Sequence, residues 1–287
     1  MRMLSICLIS YNRCERLRKT LLGLLSEFSG ICDIYVLNNG STDGTRAMLE
    51  AEFQGIEGLY VTHANDNMGV ARGRERLWRV ARGSFILSLD DDIEISRQVL
   101  DNMQTCAELN SSCGVVSPDI LDSETGKCIN RNPEKWGVQL PTFYEACFLI
   151  KKDVITAVGY FDRNLRVAGE GMDYALRMDA CGFEVCRVFG VEVVHFDRER
   201  SADEQLSRRI DWGWCFAYLF FKNLNAYKAF FYTGRNCLAH IRAVFRRRIK
   251  WKWALQIALV SARGAVSGYR VRRKNRRKPA SKFSSTL

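Results

Sequence analysis

The stretch Phe85–Ile95, Phe-Ile-Leu-Ser-Leu-Asp-Asp-Asp-Ile-Glu-Ile, most constrains what this chain can become. Phe85, Ile86, Leu87 and Leu89 are four apolar residues in its first five, the pattern of a buried strand. The strand runs directly into three carboxylates, Asp90, Asp91 and Asp92. Like charges repel, and a strand end half-sunk in a core disfavours three of them together. A divalent cation such as Mg2+ or Mn2+ relieves the repulsion, accepts oxygen ligands of this kind and keeps positions open for substrate phosphates. The alternative is a solvated acidic loop after a strand, and the rest of the chain decides between the two.

The segments around it alternate. Leu4–Ser10, Ile31–Leu37 and Leu59–Thr62 read as strands, each followed by a polar loop. Helical patterns follow over Arg16–Phe28, with Leu17, Leu21, Leu24, Leu25 and Phe28 on one face, from Thr45 onward, and over Val70–Ala81. Strand, helix, strand, helix with polar loops after the strands predicts an α/β fold with a mostly parallel sheet flanked by helices. Ligands bind such sheets at the carboxyl ends of the strands. Tyr11, Asn38 to Asp43 and Asp90 to Asp92 all fall at that edge.

Further along, the pattern predicts a helix over Arg97–Leu109 and a strand around Val115 and Val116. Lys127–Pro141 reads as an excursion or lid loop, Phe143–Ile150 as a strand and Asp153–Gly159 as a short helix. A helix lies within Gly169–Cys181, closed by Gly182, and Phe183–Val194 is a strand ending at His195.

At 287 residues the chain can bury a sizeable core, as one large domain or one domain with an appendage. All 32 acidic residues lie at or before Asp211, while 18 of the 43 Lys and Arg follow it. The net charge of +11 therefore averages an acidic part and a strongly basic one, which sets a boundary between 1–211 and 212–287. The 11 cysteines contain no Cys-x-x-Cys pair, and Cys7, Cys32, Cys147 and Cys215 sit in apolar segments. That usage predicts reduced, buried thiols of a cytosolic protein rather than a disulfide framework or a zinc site. The opening run Leu4–Ile9 is strand-like and has neither the basic region nor the cleavage site of a signal peptide.

One ordered set of residues resembles a known family. It runs Ile6-Cys7-Leu8-Ile9-Ser10-Tyr11-Asn12-Arg13, Asn39-Gly40-Ser41-Thr42-Asp43-Gly44-Thr45, Asn67-Met68-Gly69-Val70-Ala71-Arg72 and Leu89-Asp90-Asp91-Asp92. Gly159-Tyr160-Phe161-Asp162, Gly169 to Arg177, Gly182 and His195 continue it in order. Over about residues 4 to 200 the chain resembles a family 2 glycosyltransferase of the GT-A fold. The resemblance implies a Rossmann-like nucleotide-binding sheet and inverting transfer of a sugar from a UDP-, GDP- or dTDP-sugar to an acceptor hydroxyl, with Mn2+ or Mg2+. It also implies a DXD motif in Asp90-Asp91-Asp92, with Asp92 first as metal ligand and Asp90 and His195 beside it.

By the same resemblance Tyr11 stacks on the donor base, and Arg72 reaches the base or a phosphate. Asn38, Asn39 and Asp91 also contact the donor; the two asparagines stand where the family has an acidic residue, which loosens the inference about the base. Negative charge grows on the departing nucleoside diphosphate, so a carboxylate-held metal makes chemical sense. On the other side a carboxylate must take the acceptor's proton. The family places that base in a Glu-Asp pair, which here is Glu170-Gly171; Glu170 and, three residues on, Asp173 remain as candidates. Asp43 reads as a turn and helix-cap residue, and His63 and His240 as structural.

The basic tail is dense in aromatics over Trp212–Tyr232, interrupted by Lys222, Asn223, Asn225 and Lys228, so it is no clean membrane span. Arg246, Arg247, Arg248, Lys250 and Lys252 mix with Phe245, Trp251 and Trp253, and Arg270–Lys278 is a basic run. Aromatics beside cations with no acid suit an anionic membrane surface. The expectation is a cytoplasmic protein, peripheral at the inner face of the membrane, acting on a glycan or lipid-linked acceptor in cell-surface polysaccharide or lipid-linked glycan synthesis. Packing of the aromatic helices within the protein is the competing account. Two rivals stand beside the enzyme: an impaired GT-A-fold scaffold that binds membrane or nucleic acid, and a nucleotidyltransferase. A pure binder has no use for three carboxylates at a sheet edge, which makes nucleic acid the weaker partner. A nucleotidyltransferase lacks support from a glycine-rich phosphate loop.

Overall fold

The computed structural model describes residues 3–130, 140–165, 168–196, 201–245 and 250–276. The expected lid loop over Lys127–Pro141 falls mostly outside the described residues, as do Arg246–Arg248 and the end of the Arg270–Lys278 run. The chain divides into two compact units, one comprising residues 1–166 and 170–198 and the other residues 167–169 and 199–287.

The first unit is an eight-stranded mixed sheet. Its strands are β1 (Leu4–Ser10), β2 (Asp33–Asn38), β3 (Leu59–His63), β4 (Phe85–Asp90), β5 (Ile93–Glu94), β6 (Cys113–Asp122), β7 (Cys147–Lys151) and β8 (Glu184–His195), in the order β3-β2-β1-β4-β7-β6-β8-β5. The run β3-β2-β1-β4 is parallel, β7 is antiparallel to both of its neighbours, and β6 and β8 pair in parallel. The helices are α1 (Cys14–Phe28), α2 (Thr45–Glu52), α3 (Val70–Val80), α4 (Arg97–Leu109), α5 (Lys152–Val158) and α6 (Glu170–Asp179).

Period-two alternation along the strands sends side chains to opposite faces. Ile6 and Leu8 of β1 join the core that takes Leu17, Leu21, Leu24 and Phe28 of α1, Met48 and Leu49 of α2, and Leu100 and Met103 of α4. Cys7 and Ile9 join the opposite core with Leu77 and Trp78 of α3, Val154 of α5, and Tyr174 and Met178 of α6. All of the named residues are buried, so both faces of the central sheet are covered, as a parallel α/β arrangement requires.

Two strands depart furthest from their expected bounds. β6 runs on to Asp122 past Pro118, where its register against β8 shifts between Ser117 and Asp119, because proline cannot donate to the ladder. β7 begins at Cys147 rather than at Phe143, since the residues before it leave the ladder: the Glu145 carbonyl accepts from Arg74 at 2.7 Å. All eleven cysteines are free thiols. Scattered in sequence, three of them meet: the sulfurs of Cys106, Cys113 and Cys186 lie within 4.8 Å of one another.

The second unit contains α7 (Ala202–Asn223), α8 (Ala226–Phe245) and α9 (Trp251–Arg276). Ser201 and Glu204 form a reciprocal capping box at the start of α7. The crossing of α7 and α9 is tight because of glycine. A Cβ on Gly264 would stand 2.3 Å from the Trp214 carbonyl oxygen, and one on Gly268 would stand 2.1 Å from that of Tyr218. Tyr227, Phe230, Phe231, Trp251, Leu255 and Tyr269 remain exposed. None of the described helices is long and apolar enough to cross a membrane.

Candidate active site

Register assembles the site. Ser10 of β1 lies opposite Asn38 of β2, and Ile9 opposite Asp90 of β4, so the three parallel strands end together. Ser10 therefore sits one step beyond Asp90, where its hydroxyl donates to the Asp91 carboxylate. Asp91 is anchored further by Thr20 Oγ1, which donates to its carbonyl at 2.8 Å. Arg13, on the turn into α1, places one guanidinium nitrogen between the Asp91 and Asp92 carboxylates.

His195 reaches this edge from far along the chain. β5 begins immediately after Asp92 and pairs antiparallel with the end of β8, setting Ile93 opposite His195. The next amide, of Phe196, donates to the Asp92 carbonyl at 2.9 Å. These backbone bonds bring His195 Nε2 to 3.4 Å from Asp92 Oδ1. Asp92 is 3% exposed, and its Oδ1 accepts no hydrogen bond among the described residues. Burial pushes the Asp92 carboxyl upward, yet the neighbouring His195 and Arg13 hold it below its ordinary value.

His195 Nε2 is the group that faces this buried, ionised oxygen, and a cation held between the two would satisfy both. Two ligand atoms of a six-coordinate Mg2+ or Mn2+ stand about 3 Å apart, close to the observed separation. A carboxylate beside an imidazole is also a donor pair that such an ion accepts. The residues present therefore fit a divalent cation at Asp92 and His195.

Asp90 is held from α3. Arg74 Nη2 donates to Asp90 Oδ1 and to the Glu145 carbonyl, both at 2.7 Å. Arg74 is buried on α3, at helical spacing from the buried Ala71 and Trp78, while Arg72 is exposed in the first turn. Glu170 and Asp173, in the first turn of α6, are buried. Burial, then the neighbouring Glu145 carboxylate, pushes Glu170 up to about 8. Burial likewise raises Glu145 above its usual range. Asp173 accepts from Arg177 Nε at 3.0 Å, and that guanidinium also holds the carbonyls of Val158 and Tyr160.

The remaining expected contacts are placed as follows. Tyr11 is 42% exposed at the end of β1, with its ring open to solvent. Asn38 Nδ2 donates to His63 Nδ1 (3.1 Å), and its Oδ1 accepts the Ser41 amide. Asn39 donates to Asn67 and accepts from the Met68 amide. Each asparagine keeps one amide hydrogen and one lone pair for another partner. Asp43 accepts from the amides of Cys14 and Thr45, fastening the starts of α1 and α2.

Arg13, Arg74 and Glu145 are the site residues that the sequence reading left without a role. For Arg74 the signal was present, since Ala71, Arg74 and Trp78 recur at the spacing of one helix face. Glu145 left no periodic trace, because it sits in the irregular residues ahead of β7.

Residues 5–157 match the model of the family described as glycosyl transferase family 2. Over 97 residues the chain is 36% identical to an uncharacterized glycosyltransferase, YfnE, of Bacillus subtilis (strain 168), covering 33% of this chain and about a quarter (24%) of that protein. Among solved structures, the fold is similar to the mannosyltransferase PcManGT from Pyrobaculum calidifontis in complex with GDP-Man and Mn2+, with TM-score 0.60 and 15% identity over 95% of this chain and 87% of that one. It is also similar to S. aureus TarS 1-349, with TM-score 0.61 and 14% identity over 98% and 93%. GalNAc-T7 with UDP, GalNAc and Mn2+ matches with TM-score 0.58 and 15% identity over 77% of this chain and 50% of that one.

Proposed function

The chain belongs to glycosyl transferase family 2, and on that footing we propose that it moves a sugar from a nucleotide-sugar donor to an acceptor hydroxyl with inversion. The observation that carries this reading is the buried Asp92–His195 pair at the carboxyl edge of the sheet, on a GT-A fold. Asp92, His195 and Asp90 would hold Mn2+ or Mg2+. When bound, the ion supplies positive charge to the departing diphosphate.

The chain's own residues do the rest. Tyr11 offers an exposed ring for stacking against the donor base, with Asn38 and Asn39 at the base edge and Arg72 in the first turn of α3. Arg74 fixes the rotamer of Asp90. In a single displacement, the acceptor oxygen bonds to the anomeric carbon as the bond from that carbon to the diphosphate oxygen breaks. The hydroxyl proton passes to a carboxylate at the start of α6. Glu170 is the first candidate base, since it is buried in the first turn of α6, and it accepts the proton in its ionised form. Asp173 is the second, although Arg177 already engages its carboxylate.

The C-terminal helices bring exposed aromatics together with the cations that follow Asp211, a combination suited to an anionic membrane surface. The reading is a peripheral protein at the cytoplasmic face that uses a glycan or lipid-linked acceptor in surface polysaccharide or lipid-linked glycan synthesis. A second reading, an impaired scaffold, is favoured by one observation, the glycine at 171 where the family has an aspartate.

The test incubates purified protein with Mn2+ or Mg2+ and UDP-, GDP- and dTDP-sugars, with a lipid-linked acceptor supplied, and reads release of the nucleoside diphosphate. Metal-dependent release that is lost in Asp92→Ala supports the enzyme and names the donor. No release from folded protein with any donor rejects it in favour of the scaffold.

A further inference from the structure

Gly171 is not an empty position. Its amide donates to Glu145 Oε1 at 2.6 Å. A Cβ built on Gly171 would stand 2.8 Å from that same oxygen, 3.0 Å from the Glu145 carboxyl carbon and 2.6 Å from the Phe143 carbonyl oxygen. The Glu145 carboxylate thus fills the space into which a side chain at 171 would project. It arrives from the segment ahead of β7 instead of from α6. Its backbone is tied to the donor side of the site, since the Arg74 nitrogen that holds Asp90 also holds the Glu145 carbonyl.

We propose that Glu145 supplies the carboxylate that residue 171 lacks, completing an acid pair with Glu170 that deprotonates the acceptor hydroxyl. The inference rests on the glycosyltransferase reading. It also explains the glycine: only a residue without Cβ lets a carboxylate from another segment come this close to the first turn of α6. The Glu145–Glu170 pair takes the proton from the attacking oxygen as the bond to the anomeric carbon forms, and the diphosphate leaves with the bonding electron pair. Proton and charge balance without any further reactant.

A purely structural Glu145 would serve as an acceptor for the Gly171 amide, and glutamine serves that role equally well. Glu145→Gln therefore separates the two roles. In the full chain with Mn2+, donor and acceptor, Glu145→Gln is expected to lower kcat by ~100-fold or more, with donor affinity and melting temperature close to wild type. Glu145→Asp keeps the charge and is expected to recover part of the loss. Wild-type rates in Glu145→Gln would overturn the inference and leave the glycosyltransferase reading intact. Equal losses in Glu145→Gln and Glu145→Asp, with a lowered melting temperature in both, would also overturn it, because shape rather than charge would then matter. A wild-type chain that releases no nucleotide would overturn both readings at once.

Discussion

Asp92 Oδ1 looks directly at His195 Nε2 across 3.4 Å, and backbone pairing on both sides fixes that separation. Removing either side chain should weaken cation binding without unfolding the sheet, whose ladder is unchanged. We expect His195→Gln to raise the Mn2+ dissociation constant by at least ~10-fold and Asp92→Asn to abolish saturable binding. Isothermal titration with Mn2+ alone reads both outcomes, independently of any donor.

Arg74 ties two segments with one nitrogen. Arg74→Met keeps the apolar bulk but leaves the Asp90 carboxylate and the Glu145 carbonyl without that donor. Loss of a partly buried charged hydrogen bond costs about 1–3 kcal/mol, which urea denaturation should register. Donor affinity should fall as well, because Asp90 is released from its rotamer. An exposed Arg72→Met variant should leave stability within about 0.5 kcal/mol of wild type.

Glu170 makes stability depend on pH in a direction opposite to that of most carboxylates. Burial first, and then Glu145, raises its folded pKa to about 8, above the ordinary value of 4.5 for the group. The folded protein therefore binds a proton that the unfolded chain releases between those values, and stability is lost as pH rises through that window. In metal-free protein, Glu170→Gln should raise the melting temperature more at pH 8.5 than at pH 5. A larger gain at the lower pH would contradict this.

Exposed aromatics and clustered cations predict salt-sensitive binding to anionic vesicles. The full chain should sediment with phosphatidylglycerol-containing liposomes at low salt and be released at high salt. Liposomes of phosphatidylcholine alone should retain much less. Replacing Phe230, Phe231 and Trp251 by Ser should weaken the salt-resistant part of binding. An oligonucleotide that competes the protein off the vesicles would favour a nucleic-acid partner.

The alternating core was legible from the chain, because burial of both sheet faces leaves a periodic trace. Leu17, Leu21, Leu24 and Phe28 on α1, and the run Phe85 to Leu89, lie where that pattern puts them. The carboxyl-edge location of Asp90 to Asp92 followed from the same logic. What the pattern could not carry were contacts made by irregular backbone or over long sequence distances. The Glu145–Gly171 hydrogen bond joins a coil residue to a helix start, and neither position is periodic. The two-residue strand β5, which delivers His195, is too short to register as an element. The sheet's mixed character came from the short β5 and from β7, whose apolar run reads alike in either direction.

Arg13 has a consequence for how the protein exists between turnovers. Its guanidinium is lodged against Asp91 and Asp92 while Arg74 holds Asp90, so each of the three acids has a cation of the chain's own. Folding then does not wait for metal supply: the acidic edge is electrically quiet from synthesis onward. A chelated preparation should keep its melting transition, and loading with Mn2+ becomes an exchange in which an internal cation yields to an external one. On the proposed reading, occupancy of the site should follow the free ion concentration around the enzyme and not its folding history.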